Sequence, residues 1–131
     1  MTVITFSQIS FLATAFAFAT PAVAGSDDYA FQPVQAEVTK GDGVTVAVRL
    51  VQKATNKPVS DAVIIAKRID MAPDGMGGME SQLTPVPASE PGVYAFKTDL
   101  VMAGRWRLSL AAKIQGEAET VKSEVVFTAK P

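Results

Sequence analysis

An all-β fold, an antiparallel sandwich of about seven short strands, is predicted by three observations on this sequence. From Gln32 onward apolar residues alternate with others in a two-fold pattern. Turn residues interrupt that alternation every eight to twelve positions. No stretch in this region carries the 3.6-residue period of an amphipathic helix.

The first two dozen residues stand apart from this pattern. Phe11 to Ala19 is a short apolar run, followed by the helix breaker Pro21 and the small-x-small step Ala22-Val23-Ala24 that signal peptidase accepts. The run is shorter than the roughly 20 residues a membrane helix needs. Met1 to Ser10 lacks Lys and Arg, so any positive start must come from the amino terminus or from a different start codon. The expectation is a signal peptide over residues 1–24, cut after Ala24, and one domain over residues 25–131. A retained membrane anchor is the alternative. Removal of the leader leaves a mature form with no membrane span.

Within the domain, Val34, Ala36 and Val38 form a first strand that ends in the turn Lys40-Gly41-Asp42-Gly43. Val44, Val46, Val48 and Leu50 then share one face, with Thr45, Ala47, Arg49 and Val51 on the other. Lys53 to Pro58 reads as a turn, since Asn and Pro both favour one. Ala62 to Ile69 is rich in β-branched residues and apolar on both faces at its centre, which predicts an interior strand. A weak strand is expected around Gln82-Leu83-Thr84, followed by a connection with prolines at positions 85, 87 and 91. Val93 to Thr98 alternates again, and Asp99 to Gly104 turns the chain. Trp106, Leu108, Leu110, Ala112 and Ile114 make the clearest inward face, with Arg105, Arg107, Ser109 and Lys113 opposite in water. Val121, Ser123, Val125 and Phe127 complete the set. Seven such strands fit an immunoglobulin-like sandwich, and Tyr94 after Gly92 resembles the tyrosine corner of that fold.

Composition narrows the function. Twelve Lys and Arg nearly balance thirteen Asp and Glu, with no block of either sign, so attraction to nucleic acid is not supported. There is no cysteine, so an exported domain must be held by apolar packing alone, which suits a bacterial periplasm. There is no histidine either. That removes the commonest general base and zinc ligand, and it excludes Ser-His-Asp and Cys-His devices. The chain is not expected to be an enzyme.

One segment suggests chemistry. Asp70 to Glu80 carries Met71, Met76 and Met79 among Gly75, Gly77, Gly78 and Pro73. Gly and Pro at this density predict a loop. Thioethers on a loop have little packing work to do and are ligands for soft ions such as Cu(I). The plain alternative is a turn whose methionines cover a sandwich edge. Met102, before Gly104, sits at another turn and packs on Trp106 or reaches the same rim. Asp70, Asp74 and Glu80 lack the alternating spacing of an EF-hand and read as solvated loop charges.

Several steps resemble a known family. Pro58-Val59-Ser60-Asp61-Ala62-Val63-Ile64, the Met-containing loop, Pro91-Gly92-Val93-Tyr94 and Met102-Ala103-Gly104-Arg105-Trp106-Arg107-Leu108 are similar to the YtkA-like and FixH-like domains. The likeness runs from Val34 to Phe127. It implies a small exported β-sandwich concerned with copper or other heavy metals, with an envelope metal-transport or oxidase-assembly protein as partner. Carried onto this chain, the implied ligands are Met71, Met76 and Met79, with Met102 as a fourth candidate. With histidine absent, the implied cargo is Cu(I) or Ag(I). The expected function is therefore a periplasmic accessory protein that binds Cu(I) weakly. The rival is an interaction module of the envelope that uses an exposed edge strand and no metal.

Overall fold

The computed structural model describes residues 26–88 and 90–131. The expected leader, residues 1–24, lies outside the described residues. Among the described residues, ten strands follow a short 3-10 turn at Ser26–Asp28: β1 (Tyr29–Pro33), β2 (Glu37–Thr39), β3 (Gly41–Gln52), β4 (Lys57–Pro58), β5 (Val63–Met71), β6 (Met76–Ser81), β7 (Thr84–Val86), β8 (Val93–Leu100), β9 (Gly104–Lys113) and β10 (Val121–Lys130). A second 3-10 turn, Ala72–Asp74, joins β5 to β6.

The strands form two sheets. One has the order β1-β3-β8-β7 with β4 added to β3; the other runs β2-β10-β9-β5-β6. All pairs are antiparallel except β2 with β10, which is parallel. The predicted all-β sandwich is present. Three strands were not expected: β1, which begins before the alternating region; β4, two residues of the expected turn; and β6, inside the expected methionine loop.

The inner faces meet as the periodicity predicts. Val46, Val48 and Leu50 of β3 are buried, and so are Trp106, Leu108, Leu110 and Ala112 of β9. Trp106 is the register partner of Phe127, which sets two large rings side by side on neighbouring strands. Each fully buried large side chain contributes roughly 1.5–3 kcal/mol. The Tyr94 hydroxyl donates to the Val59 carbonyl at 2.7 Å and accepts from the Ala62 N–H at 3.1 Å, so it ties down the β4–β5 connection, 32 to 35 positions upstream, rather than its own corner. Burial raises the Tyr94 pKa, and the Ala62 hydrogen bond opposes that shift.

β5 departs from expectation. It is interior in strand order, between β9 and β6, yet its first half is not buried on both faces. Val63 is 62% exposed and Ile65 51%. β6 pairs only with Ile69, Asp70 and Met71, at the far end of the strand. Among the described residues, Val63 to Lys67 therefore has β9 on one side and no strand on the other.

Candidate functional site

The methionine segment is a hairpin rather than an open loop. β5 runs on to Met71, the 3-10 turn follows, and Gly75 closes it in the left-handed conformation at φ 76°. β6 then returns along β5, with Met76 the register partner of Met71 and a bulge between Asp70 and Met71. β6 contains no β-branched residue. It forms because β5 offers a backbone edge at this end and Met79 packs partly buried against the core.

The four methionines have different surroundings. Met71 is 0% exposed and belongs to the hydrophobic core, so it is a packing residue as placed and no open ligand. The alternation of β5 accounts for this: Ile69 and Met71 share the inner face, while Asp70 points to the other. Met79 is half-buried. Met76 and Met102 are each 38% exposed. Met102 anchors Trp106 through its backbone, its carbonyl accepting the indole N–H at 3.1 Å.

An ion pair ties the hairpin to the turn that carries Met102. Asp74 Oδ2 accepts the Arg105 backbone N–H at 2.6 Å and Oδ1 accepts Arg105 Nε at 2.8 Å. Arg105 also donates to the Pro73 carbonyl at 2.7 Å. Those hydrogen bonds, the backbone one first, lower the Asp74 pKa. Gly104 sits beneath this clamp at φ 143°. A Cβ there would lie 2.6 Å from Asp74 Oδ2 and 2.7 Å from the Met71 methyl.

The remaining charges of the segment are also structural. Asp70 is fully covered rather than solvated. Its carboxylate accepts the Ala72 N–H at 2.9 Å, Arg68 Nε at 2.9 Å and Arg107 at 3.2 Å. Burial alone would raise its pKa, but the hydrogen bonds from Ala72, Arg68 and Arg107 together hold it below the usual 3.8. Arg68 reaches Glu80 at 2.6 Å and Arg107 reaches Glu124 at 3.7 Å. Glu80, Arg68, Asp70, Arg107 and Glu124 thus alternate in sign across β6, β5, β9 and β10. Sequence reasoning missed this ladder. Its trace is the step Arg68-x-Asp70, which places opposite charges on one strand face. Beside it lies a shallow trough of about 710 Å³, lined by Ala66, Ser109, Ala111 and Lys122 among others.

With this geometry established, a family model described as YtkA-like matches residues 23–111. The chain belongs to the YtkA-like family. The match begins ahead of the expected likeness and ends within β9, so it includes the hairpin, the clamp and Trp106. No curated protein matches this YtkA-like chain. Among solved structures, the ZirS C-terminal Domain superposes with a TM-score of 0.46 and 14% identity, covering 100% of this chain and 83% of that one.

In this YtkA-like domain, Gly104→Ala is expected to destabilise by about 1–3 kcal/mol, since it combines positive-φ strain with a clash against the clamp. Urea denaturation checks this. A neutral result would show that the turn relaxes without loss.

Among the described residues, no helix is long and apolar enough to cross a membrane. Nor does any group of three or more Asp, Glu, His or Cys side chains come together as a metal site among them.

Proposed function

We propose that this YtkA-like domain is an exported, periplasmic accessory protein that holds Cu(I) weakly at the hairpin rim and passes it to an envelope partner. The partner is a metal-transport or oxidase-assembly protein. Residues 1–24 serve as the leader, cut after Ala24, and the role is binding rather than catalysis.

The observation that carries this reading is the Asp74–Arg105 clamp. It draws the β5–β6 hairpin against the β8–β9 turn, with Met76 and Met102 both left accessible. Thioethers are the soft donors this chain has, since it contains neither cysteine nor histidine. Two exposed thioethers, with half-buried Met79 as a third, suit a site that takes up and gives up a soft ion readily. Met71 serves the same rim from below as packing.

Anaerobic titration with Cu(I) against a competing chelator tests the assignment. Met76→Leu with Met102→Leu is expected to weaken binding about tenfold or more, while Met71→Leu leaves affinity unchanged. Binding that survives the double substitution removes the rim from consideration.

The charge ladder and adjoining trough on the neighbouring strands β5, β9 and β10 favour a second reading, an envelope interaction module without metal. Under that reading, association with the partner persists after complete chelation.

A further inference from the structure

The exposed half of β5 has the makings of a self-recognition edge. Val63 to Lys67 lacks a strand neighbour on one side among the described residues. An unpaired strand edge offers a row of backbone donors and acceptors to any extended chain. Here it also carries apolar side chains: Val63, Ile65 and Ala66 are exposed, with Ile65 placed by a bulge in the β5–β9 ladder between Ile64 and Ala66.

The order of residues indicates what pairs with it. The segment reads Asp61-Ala62-Val63-Ile64-Ile65-Ala66-Lys67. Set antiparallel against itself about Ile64, it places Ile64 opposite Ile64, Val63 opposite Ile65 and Ala62 opposite Ala66. Asp61 then meets Lys67 at both ends. Small residues face small, branched face branched, and acid faces base. Among the described residues, neither Asp61 nor Lys67 has an ion-pair partner within the chain.

We infer that a second copy of this chain docks on the free edge of β5, antiparallel about Ile64, to form a two-fold dimer. Such an interface is isologous and consumes the edge it uses, so it closes at two copies rather than growing into a fibre. With so short a segment, the contact belongs to the small, weak class of interfaces. The inference does not depend on the copper reading.

Sedimentation equilibrium of the purified full chain, up to about 1 mM, tests it together with two charge reversals. Wild type is expected to show an average mass rising toward that of a dimer with concentration. Asp61→Lys and Lys67→Asp each set like charges opposite at both ends, and each alone is expected to weaken association about tenfold or more. Mixed in equal amounts, the two variants have complementary ends again, and the mixture is expected to regain dimer. Both positions are exposed, so circular dichroism of each variant should match wild type. Three results overturn the inference: a wild type that stays monomeric throughout, a dimer indifferent to both reversals, or a mixture that fails to regain it.

Discussion

Trp106→Ala is expected to lower the unfolding free energy by about 3–5 kcal/mol, measured by urea denaturation with an unchanged slope. The ring is fully buried beside Phe127, and the site is walled by β-strand backbone that cannot collapse into the gap. Its indole N–H is also the donor that fixes the Met102 carbonyl, so the substitution loosens the β8–β9 turn as well as the core. Trp106→Phe separates the two effects. It retains most of the apolar bulk but leaves the carbonyl without its donor, and should cost about 1–3 kcal/mol. Trp106→Asp adds an unpaired buried charge to the cavity and is expected to prevent folding. If the alanine variant lost less than about 1 kcal/mol, Trp106 could not be the centre of the core.

Asp70→Ala is expected to cost about 2–3 kcal/mol at neutral pH. Removing the carboxylate strands the Ala72 N–H and leaves Arg68 and Arg107 facing each other without the anion between them. The figure stays below that for a deep ion pair because Arg68 is half in water and rehydrates easily. Asp70→Asn keeps the acceptor for Ala72 and isolates the charge. The folded carboxyl titrates below its ordinary value. Its stabilising contribution is therefore complete above the unfolded pKa of about 3.8 and is lost as pH falls through the lower folded value. The stability gap between wild type and Asp70→Asn should close across that acid range. Asp74 titrates in the same direction but is present in both proteins, so it cancels. A gap that stays constant from neutral pH to about pH 2 would show that the charge is not its source.

The sandwich was legible because its central strands obey one simple rule. Val46, Val48 and Leu50, and likewise Trp106, Leu108 and Leu110, alternate cleanly because one face of each sheet is buried. The site was less so. β6 is built on Met76-Gly77-Gly78-Met79, which has no intrinsic preference for a strand and is recruited by the edge of β5. The same blindness hid Met71. Counting in twos from Ile69 puts it on the core face, but that count applies only if the strand continues past Asp70, and the neighbouring Pro73 and Gly75 argued that it stopped. Asp70 and Asp74 read as solvated because their arginine partners lie on β5 and β9, and Arg105 is 31 positions from Asp74. The parallel pairing of β2 with β10 joins opposite ends of the domain, so no local pattern announces it. Tyr94 was the exception among polar residues: the step Gly92-x-Tyr94 marks it in the sequence, although its partners Val59 and Ala62 lie 35 and 32 positions away.

The clamp joins Asp74 to Arg105, 31 positions apart, so the turn ahead of Met76 and the turn that carries Met102 meet only after β9 has docked beside β5. A denatured polypeptide keeps no memory of that arrangement, so under the proposed function an ion held by both turns would favour the native state over the unfolded chain. Mass action would then make that ion a thermal protectant, and a melting curve recorded with increasing Cu(I) tests the proposed occupancy of the rim without a spectroscopic probe.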